Sequence, residues 1–227
     1  MATLASAPVP GPPTTQQHAV DWLRRAIVAG ELRPGDRVGQ EEVAERLGVS
    51  MAPVREALRV LEQEGQVTYR PRRGYFVTEL AVADLEEIYA LREVLEERAV
   101  RASVPALDDD VLERVIAAAR DCVDAATSGN VAAELAANRR FHFAILDHPD
   151  HPHLMRMIRL LWDSTESYRA LYYNSPAERR ETVVSHDRMI DALRAREVDA
   201  LVAEMNAHRD RALTVLRAIL AGSGPRS

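Results

Sequence analysis

The chain contains no lysine, so each of its 29 permanently charged basic side chains is an arginine. A bias in genome composition explains this absence without any functional cause. A single cysteine, Cys122, excludes an intramolecular disulfide. No apolar run approaches the roughly 20 residues that a membrane-spanning helix needs, and the N-terminus lacks the basic and apolar segments of a secretory signal. These absences predict a cytoplasmic protein without a membrane partner.

Charge is unevenly distributed along the chain, whose formal net charge is -6. Residues 1–80 hold ten arginines and ten acidic residues, whereas residues 81–227 hold nineteen arginines and twenty-five acidic residues. The position of charge matters more for binding than its total. The acidic sum therefore does not exclude a nucleic-acid partner for the first part of the chain.

The length of 227 residues suits one or two domains, and the positions of the motifs favour two. We predict a disordered leader over residues 1–14, a first domain over 15–79, an all-helical second domain over 80–222 and a tail over 223–227. The predicted fold class is mainly α, with three helices and a small β-hairpin in the first domain and about six helices in the second.

Three helical patterns and a hairpin make up the first domain. A first helix begins near Thr15, a second near Gln40, and a third runs from about Met51 to Glu64, with Gly48 and Gly65 as stop signals. Ser50 is predicted to cap the third helix through its hydroxyl. Strand patterns over residues 67–69 and 75–77 flank the turn sequence RPRRG. This order is typical of a winged helix-turn-helix.

Exposed arginines are expected on the third helix and on the wing. Arg55 and Arg59 lie four positions apart and project from one helical face, and Arg72 and Arg73 lie in the wing turn. Arginine on a recognition helix can pair with guanine in the major groove, and a basic hairpin suits phosphates or the minor groove. The alternatives are an ion pair of Arg55 with a nearby acid and a merely solvated wing turn.

From Asp84 onward the pattern is helical throughout. Proline, glycine and polar segments divide it into six predicted helices. These cover residues 84–104, 108–127, 131–146, 152–173, 176–194 and 197–221.

The chain resembles the GntR family of bacterial transcription regulators, and within it the FadR-like subfamily with a C-terminal FCD ligand-binding domain. The first half carries the resemblance in IVAGELRPGDRV, EVAERLGVS, PVREALRVLEQEG and RPRRGYFV; the second half carries it in LREVLE, NRRFHFAIL, SHDRMIDAL and MNAH. It implies a ligand-responsive regulator, most often a repressor, that binds a palindromic operator as a homodimer. The implied DNA-binding residues are Ser50, Met51, Arg55, Arg59, Arg72, Arg73 and Gly74.

Met51 departs from the family pattern. Family members often have SRTPVREAL at the start of the recognition helix, whereas this chain has SMAPVREAL. Methionine can contact a thymine methyl group but cannot replace a bidentate arginine, whose loss sacrifices roughly 1–3 kcal/mol of base discrimination. We therefore expect an operator that differs from the usual half-site.

The resemblance also implies a divalent metal site inside the helical domain. Its ligands would be Asn138, His142, His186 and His208, which suit Zn or Ni. Many relatives have aspartate at position 138, and the amide is a weaker ligand, so we expect lower metal affinity. The alternative is that these histidines are packing or surface residues. A second histidine group, His148, His151 and His153, resembles a metal cluster only in composition.

Arg92 matches an arginine that binds the carboxylate of a small organic acid effector in several relatives. The alternative is an ion pair with Glu96 or Glu93. Four other residues are candidates for lining the cavity: Tyr89, Arg139, Tyr168 and Arg169. Their spacing does not distinguish them from residues that only pack in the core. The stripe Ile158, Leu161 and Trp162 is interpreted as apolar core.

Two other functions compete with a ligand-responsive regulator. Three histidines with open metal positions suit a metal-dependent enzyme, but the motifs hold no positioned general base such as H-E-x-x-H. We therefore predict that the protein is not an enzyme. In the other alternative, the second domain only dimerises the regulator.

Overall fold

The computed structural model describes residues 14–148 and 150–222. The predicted leader over 1–13 and the tail over 223–227 lie outside these residues. Thr14, assigned to the leader, caps the first helix, because its hydroxyl accepts a hydrogen bond from the Gln17 N–H at 3.1 Å. The first half contains α1 (Thr15–Val28), β1 (Arg37–Val38), α2 (Gln40–Leu47), α3 (Met51–Gln63), β2 (Val67–Arg70) and β3 (Gly74–Val77).

The turn between α2 and α3 is built from Gly48 and Ser50. Gly48 has a φ of 65°, and its N–H bonds back to Ala44 and Glu45, which ends α2 as predicted. Ser50 occupies the N-cap position of α3, but its exposed hydroxyl forms no capping bond, so that prediction is wrong. The reason lies in Pro53, which stands three positions on and has no N–H to donate.

The wing is a three-stranded antiparallel sheet in the order β1-β3-β2. Strands β2 and β3 form the predicted hairpin, and Arg37 and Val38 of β1 pair with Phe76 and Tyr75 of β3. The sequence predicts only a turn at residues 37–38. Strand β1 has only two residues, which is too short a pattern to indicate a strand when the partner strand β3 is not known.

The second half is all-helical and contains one helix more than predicted. It comprises α4 (Val82–Ser103), a short 3-10 turn (Val104–Ala106), α5 (Asp109–Ser128), α6 (Val131–Leu146), α7 (Pro152–Ser164), α8 (Glu166–Tyr173), α9 (Pro176–Ala195) and α10 (Val198–Gly222). The single helix expected over 152–173 is divided at Thr165. The Thr165 hydroxyl donates to the carbonyls of Leu161 and Trp162 at 3.2 and 3.3 Å, and such bonds compete with helix continuation.

The two halves meet around the break between α7 and α8. The Tyr168 hydroxyl accepts a hydrogen bond of 2.6 Å from the N–H of Leu80, in the segment that joins the wing to α4. Gly65, which follows α3 with a φ of 74°, faces Ser164 so closely that an added Cβ would lie 3.2 Å from the serine Cβ. Helix α8 is therefore placed between the helical bundle and the winged domain.

No helix within the described ranges is long and apolar enough to cross a membrane.

Candidate functional site

The exposed face of α3 carries the predicted DNA-contacting side chains. Val54, Ala57, Leu58 and Leu61 are fully buried against the rest of the winged domain. Arg55 and Arg59 project from the opposite, exposed face, and neither forms an ion pair with a described residue. Met51 is 38% exposed at the start of the helix. The helix therefore presents two arginines and Met51 to solvent, together with the acidic Glu56 and Glu62.

The wing tip gathers Arg37 in addition to the three arginines of the predicted RPRRG turn. Arg72 is exposed and has a φ of 62°, a left-handed conformation that is strained for a residue other than glycine. The guanidinium carbons of Arg70 and Arg73 lie 4.4 and 5.5 Å from the centre of the Phe76 ring. Arg37 Nε donates to the Arg73 carbonyl at 3.1 Å.

Sequence reasoning missed Arg37 because it stands in β1, and it assigned Arg70 to the turn, whereas Arg70 is the last residue of β2. The three-strand pairing brings them beside the tip. Gly74, with a φ of 92°, begins β3 beside the Arg37 side chain. The four wing arginines form a compact basic surface that suits a phosphate backbone.

Three histidines from three helices converge inside the helical domain. His142 on α6, His186 on α9 and His208 on α10 offer ring nitrogens that all lie within 4.8 Å of one another. Asn138 stands one helical turn before His142 and is 1% exposed. The structure thus places the four predicted metal-ligand residues in or beside one cluster. Among the described residues, the group His148, His151 and His153 forms no comparable set of ligand atoms.

The electrostatic environment keeps the three histidines neutral. Burial, followed by the charges of neighbouring histidines and of Arg169, lowers the pKa of His142 and of His186 well below its ordinary value. Burial and nearby arginines lower the pKa of His208 to about 3. A neutral imidazole is the form that binds a metal.

Several buried donor and acceptor atoms of this cluster have no hydrogen-bond partner. They are Oδ1 of Asn138, Nδ1 of His142 and both ring nitrogens of His186. Buried polar atoms in folded proteins are nearly always satisfied, so unpaired ones need an explanation. Three neutral nitrogens and one amide oxygen fit a divalent cation such as Zn or Ni in both donor type and number.

Arg92 forms a buried ion-pair network beside the histidines. Its Nε donates to Glu96 at 2.8 Å, and Arg209 donates to the other oxygen of Glu96 at 2.8 Å. The indole N–H of Trp162 donates to Glu96 at 2.7 Å. Burial alone would raise the pKa of Glu96, but the charges of Arg92 and Arg209 lower it to about 2. Glu96 is therefore a permanent anion at neutral pH.

For Arg92, the structure shows the ion pair that was the alternative to effector binding. Arg92 pairs with Glu96, but the pair is buried rather than on the surface, and Arg92 also lines the cavity. Tyr89 and Arg169 line the cavity as well. Arg139 instead pairs with Asp163 at 2.8 Å and is not among the lining residues.

Sequence reasoning missed Trp162 and Arg209. Trp162 was assigned to the apolar core, and it is fully buried, but its indole also lines the cavity and binds Glu96. Arg209 directly follows His208, and no spacing pattern marks it as inward-facing. The position of His208 was the one signal from which Arg209 could have been found.

The cavity itself is small. It has a volume of about 30 Å³, which is room for about two water molecules. A much larger groove of about 780 Å³ lies open between α3 and α7, but none of the three clustered histidines and none of the cavity arginines lines it. We therefore identify the smaller cavity as the candidate ligand site.

Comparisons with known proteins match each half of the chain to a family. Residues 15–77 match the family described as bacterial regulatory proteins, gntR family, and residues 87–211 match the FCD domain. The HTH-type transcriptional regulator McbR of Escherichia coli is 30% identical over 77% of this chain and 80% of its own length. The Nta operon transcriptional regulator of Aminobacter aminovorans is 29% identical over 84% of this chain and 90% of its own length.

Solved structures show the same fold. The E. coli McbR/YncC structure superposes with a TM-score of 0.81 at 26% identity and covers 91% of this chain and 99% of its own. A structure from Rhodococcus sp. RHA1 superposes with a TM-score of 0.77 at 24% identity, over 89% of this chain and 97% of its own.

Proposed function

The chain belongs to the GntR family of bacterial regulatory proteins and carries an FCD domain, and from this premise we propose that it is a repressor released from its operator by a small organic acid. The chain is a DNA-binding transcription regulator rather than an enzyme, as its relatives are regulators. The observation that carries the proposal is the buried cluster of three histidines and three arginines in the same chain as an exposed basic wing.

We further propose the assignment to the FadR-like subfamily, with a DNA-binding unit over residues 15–79 and an effector unit over 80–222, acting in the cytoplasm.

DNA reading is assigned to two surfaces of the winged domain. Arg55 and Arg59 of α3 would enter the major groove, with Met51 making apolar contact at the start of the helix. Ser50, Arg72, Arg73 and Gly74 would contact the backbone or the minor groove. Support comes from the exposure of these arginines and from the unused hydroxyl of Ser50.

A homodimer is required for useful specificity, since one recognition helix and one wing contact few base pairs. The helical domain exposes large apolar side chains on two helices that contact each other, α4 and α7. Val94 is 68% exposed, and Leu91, Met157 and Leu160 are 47%, 43% and 37% exposed. We propose that these helices supply part of the dimer interface.

The metal would be held by His142, His186, His208 and the Asn138 amide. A bound divalent cation such as Zn or Ni would supply positive charge for an effector carboxylate. Arg92 would bind and orient the acid from the other side of the cavity. The amide of Asn138 brings no negative charge, so metal affinity should be lower than in relatives with aspartate.

Helix α8 offers a route from the cavity to the DNA-binding domain. Arg169 and Tyr173 line the cavity, while Tyr168 of the same helix bonds to Leu80 in the connecting segment. A shift of α8 on acid binding would move the winged domain relative to its partner and spoil the match to operator spacing. Linkage then requires operator DNA to weaken acid binding by the same factor.

Native mass spectrometry of protein purified without added metal is the first test. We expect a dimer with about one divalent ion in each subunit, and loss of the ion in His186→Ala without loss of folding. A bundle that only dimerises would instead give a metal-free dimer, in which His186→Ala changes stability alone.

Selection from randomised DNA, followed by anisotropy titrations, tests the operator. A palindromic site should emerge, and Met51→Arg should shift its preferred bases. An unchanged preference in Met51→Arg would contradict the role given to Met51. Titrating candidate acids against the operator complex completes the test; unchanged DNA affinity at every metal load would refute release by an acid.

A further inference from the structure

His186 stands between the histidine cavity and a second space, a groove between α5 and α9. Asn138, His142 and His208 line the cavity, whereas His186 lines the groove instead. His186 is 1% exposed, and in the described structure neither of its ring nitrogens has a hydrogen-bond partner. The Phe141 ring stacks on the imidazole, with 3.9 Å between ring centres. The groove therefore reaches one member of the histidine cluster from outside the cavity.

The groove is open to solvent and much larger than the cavity. Its volume is about 380 Å³, against about 30 Å³ for the cavity. A hydrated divalent ion carries about six water molecules, and of these two spaces only the groove has room for that many. The lining combines apolar side chains with four exposed charged ones, which are Arg120, Asp187, Asp191 and Arg194.

Asp187 directly follows His186 and is the free carboxylate of the groove. Its side chain is exposed, and among the described residues it forms no ion pair. Asp191, by contrast, is paired with Arg194 at 3.3 Å. An unpaired carboxylate next to a buried imidazole with unpaired nitrogens suits a cation that moves from water to the histidines.

The cavity offers an approach of the opposite charge. Its lining residues are buried except His208 and Ala212, so an ion from this side would pass α10. Three arginines line the cavity, and the one carboxylate among the lining residues is that of Glu96. Before a metal ion is bound, this lining repels a divalent cation, whereas the four charges of the groove balance one another.

We propose that the metal ion enters through the groove between α5 and α9, where Asp187 attracts it and His186 is the first histidine to bind it. This rests on the proposed metal site and adds its route of entry. The ring nitrogens of His142 and His208 lie within 4.8 Å of those of His186. The cluster can therefore take over the ion without a rearrangement of the helices.

Fluorescence of Trp162 can follow the entry of Co²⁺, a divalent ion that accepts the same ligands as Zn. The Trp162 ring centre lies 5.2 Å from that of His142, which is close enough for a bound Co²⁺ to quench the indole. The chain has two tryptophans, so Trp22→Phe leaves Trp162 as the sole indole. Full-length Trp22→Phe protein is freed of metal with a chelator and mixed with Co²⁺ in stopped flow at low ionic strength. Titration gives the affinity.

Asp187→Asn should slow the association of Co²⁺ about threefold to tenfold, and added salt should reduce the difference. Dissociation into excess chelator should slow by the same factor, because a residue on the route affects passage in both directions. The affinity should therefore change little. Asp210→Asn is the matched control, since Asp210 is exposed, stands two residues after His208 and does not line the groove. It should leave both rates nearly unchanged.

Val123→Arg tests the groove at an independent position. Val123 is 42% exposed and lines the groove, so a guanidinium there would both narrow it and repel the ion. Association should slow about tenfold or more. Ala117→Arg places the same charge on an exposed position of α5 outside the groove and should have little effect. Ala212→Leu narrows the approach to the cavity instead and should leave the association rate unchanged.

Unchanged association rates in Asp187→Asn and Val123→Arg would overturn the proposal. Slower association in Ala212→Leu, with the two groove variants unaffected, would assign entry to the arginine-lined side. A weaker affinity of Asp187→Asn at an unchanged association rate would also count against the route. No saturable Co²⁺ binding by the Trp22→Phe chain would contradict the proposed metal site itself, whereas normal binding with unchanged rates would contradict the route alone.

Discussion

The two halves of the molecule place their polar groups in opposite ways. In the described part of the winged domain, residues 14–77, Gln66 is the one buried polar residue, and its amide donates to Glu64 at 3.2 Å. In the helical domain, buried polar residues are numerous, and several have atoms without partners, among them Glu134, Asn138 and His186. The first half therefore holds its polar groups at the surface, whereas the second half also holds many in its interior.

The same contrast holds for arginine. Arg55, Arg59 and Arg72 are exposed and keep their hydration, which suits a large polyanion approached from outside. Arg92, Arg169 and Arg209 are buried, where a single charge is costly unless it is paired. A residue type thus predicts a partner only when its burial is known.

Glu96→Gln tests the buried ion pairs and has the largest expected effect. The substitution leaves Arg92 and Arg209 without their carboxylate, so the free energy of unfolding should fall by about 3–5 kcal/mol in urea titrations. Glu86→Gln is the matched control on the same helix. Its pair with Arg217 is about half exposed, at 45% and 47%, and should be worth less than about 1 kcal/mol. Equal losses in the free energy of unfolding of the two variants would contradict the distinction between buried and exposed ion pairs.

Acid titration sharpens the same comparison. The folded pKa of Glu96 is about 2, below the ordinary value of 4.5, so its contribution to stability is present above about pH 4.5. That contribution should be lost as the pH falls from 4.5 through 2. Glu96→Gln should lack this component, whereas Glu86→Gln should retain it.

Arg55→Ala tests the role of the exposed arginines. Operator affinity measured by anisotropy should fall by about 1–3 kcal/mol, while the free energy of unfolding should hardly change. Arg217→Ala, an exposed arginine of the helical domain, should leave operator affinity nearly unchanged. A similar loss in both variants would mean that net charge, rather than the surface of α3, governs binding.

Glu134→Gln addresses a buried carboxylate with no partner. Burial raises the pKa of Glu134 to about 7, although the charge of Arg179 opposes this. Because the folded pKa exceeds the ordinary 4.5, stability is greatest below about pH 4.5 and declines as the pH rises through 7. Above neutral pH, Glu134→Gln should therefore be more stable by about 1–2 kcal/mol, allowing for solvent screening. Glu113→Gln on the surface of α5 should show no such gain.

Tyr168→Phe has the smallest expected effect and tests the connection between the halves. It removes the acceptor of the Leu80 N–H but keeps the ring in place. The factor by which the best-binding acid weakens operator binding should fall about threefold to tenfold, the worth of about one hydrogen bond. Operator affinity and acid affinity, each measured alone, should stay as they are. If this factor were unchanged in Tyr168→Phe, the hydrogen bond between Tyr168 and Leu80 would not contribute to the coupling between acid binding and operator binding.

Much of the fold follows from periodic patterns in the sequence. The apolar spacing in α3 and the glycine stop at Gly48 each act locally, and the structure agrees with both. The break at Thr165 depends on which carbonyls its hydroxyl reaches, and β1 depends on a partner strand 36 residues away or more. Such features come from tertiary contacts, which a local pattern does not contain.

The candidate site, too, could be predicted from the sequence only in part. The four metal-ligand residues come from three helices, and their choice rested on resemblance to a family rather than on spacing. The convergence of the histidines in the structure is consistent with that choice, while their role stays a prediction. Trp162 and Arg209 were missed because an apolar stripe and a charged neighbour of His208 look ordinary in sequence.

The contact between Gly65 and Ser164 sets a condition for exchanging domains between relatives. Residue 65 is restricted twice, since its φ of 74° disfavours any side chain and Ser164 leaves little room for one. A chimera that joins this winged domain to another regulator's helical domain would meet this restriction at the join. It would need glycine at position 65 and a small residue opposite it, so the two positions have to be transplanted as a pair.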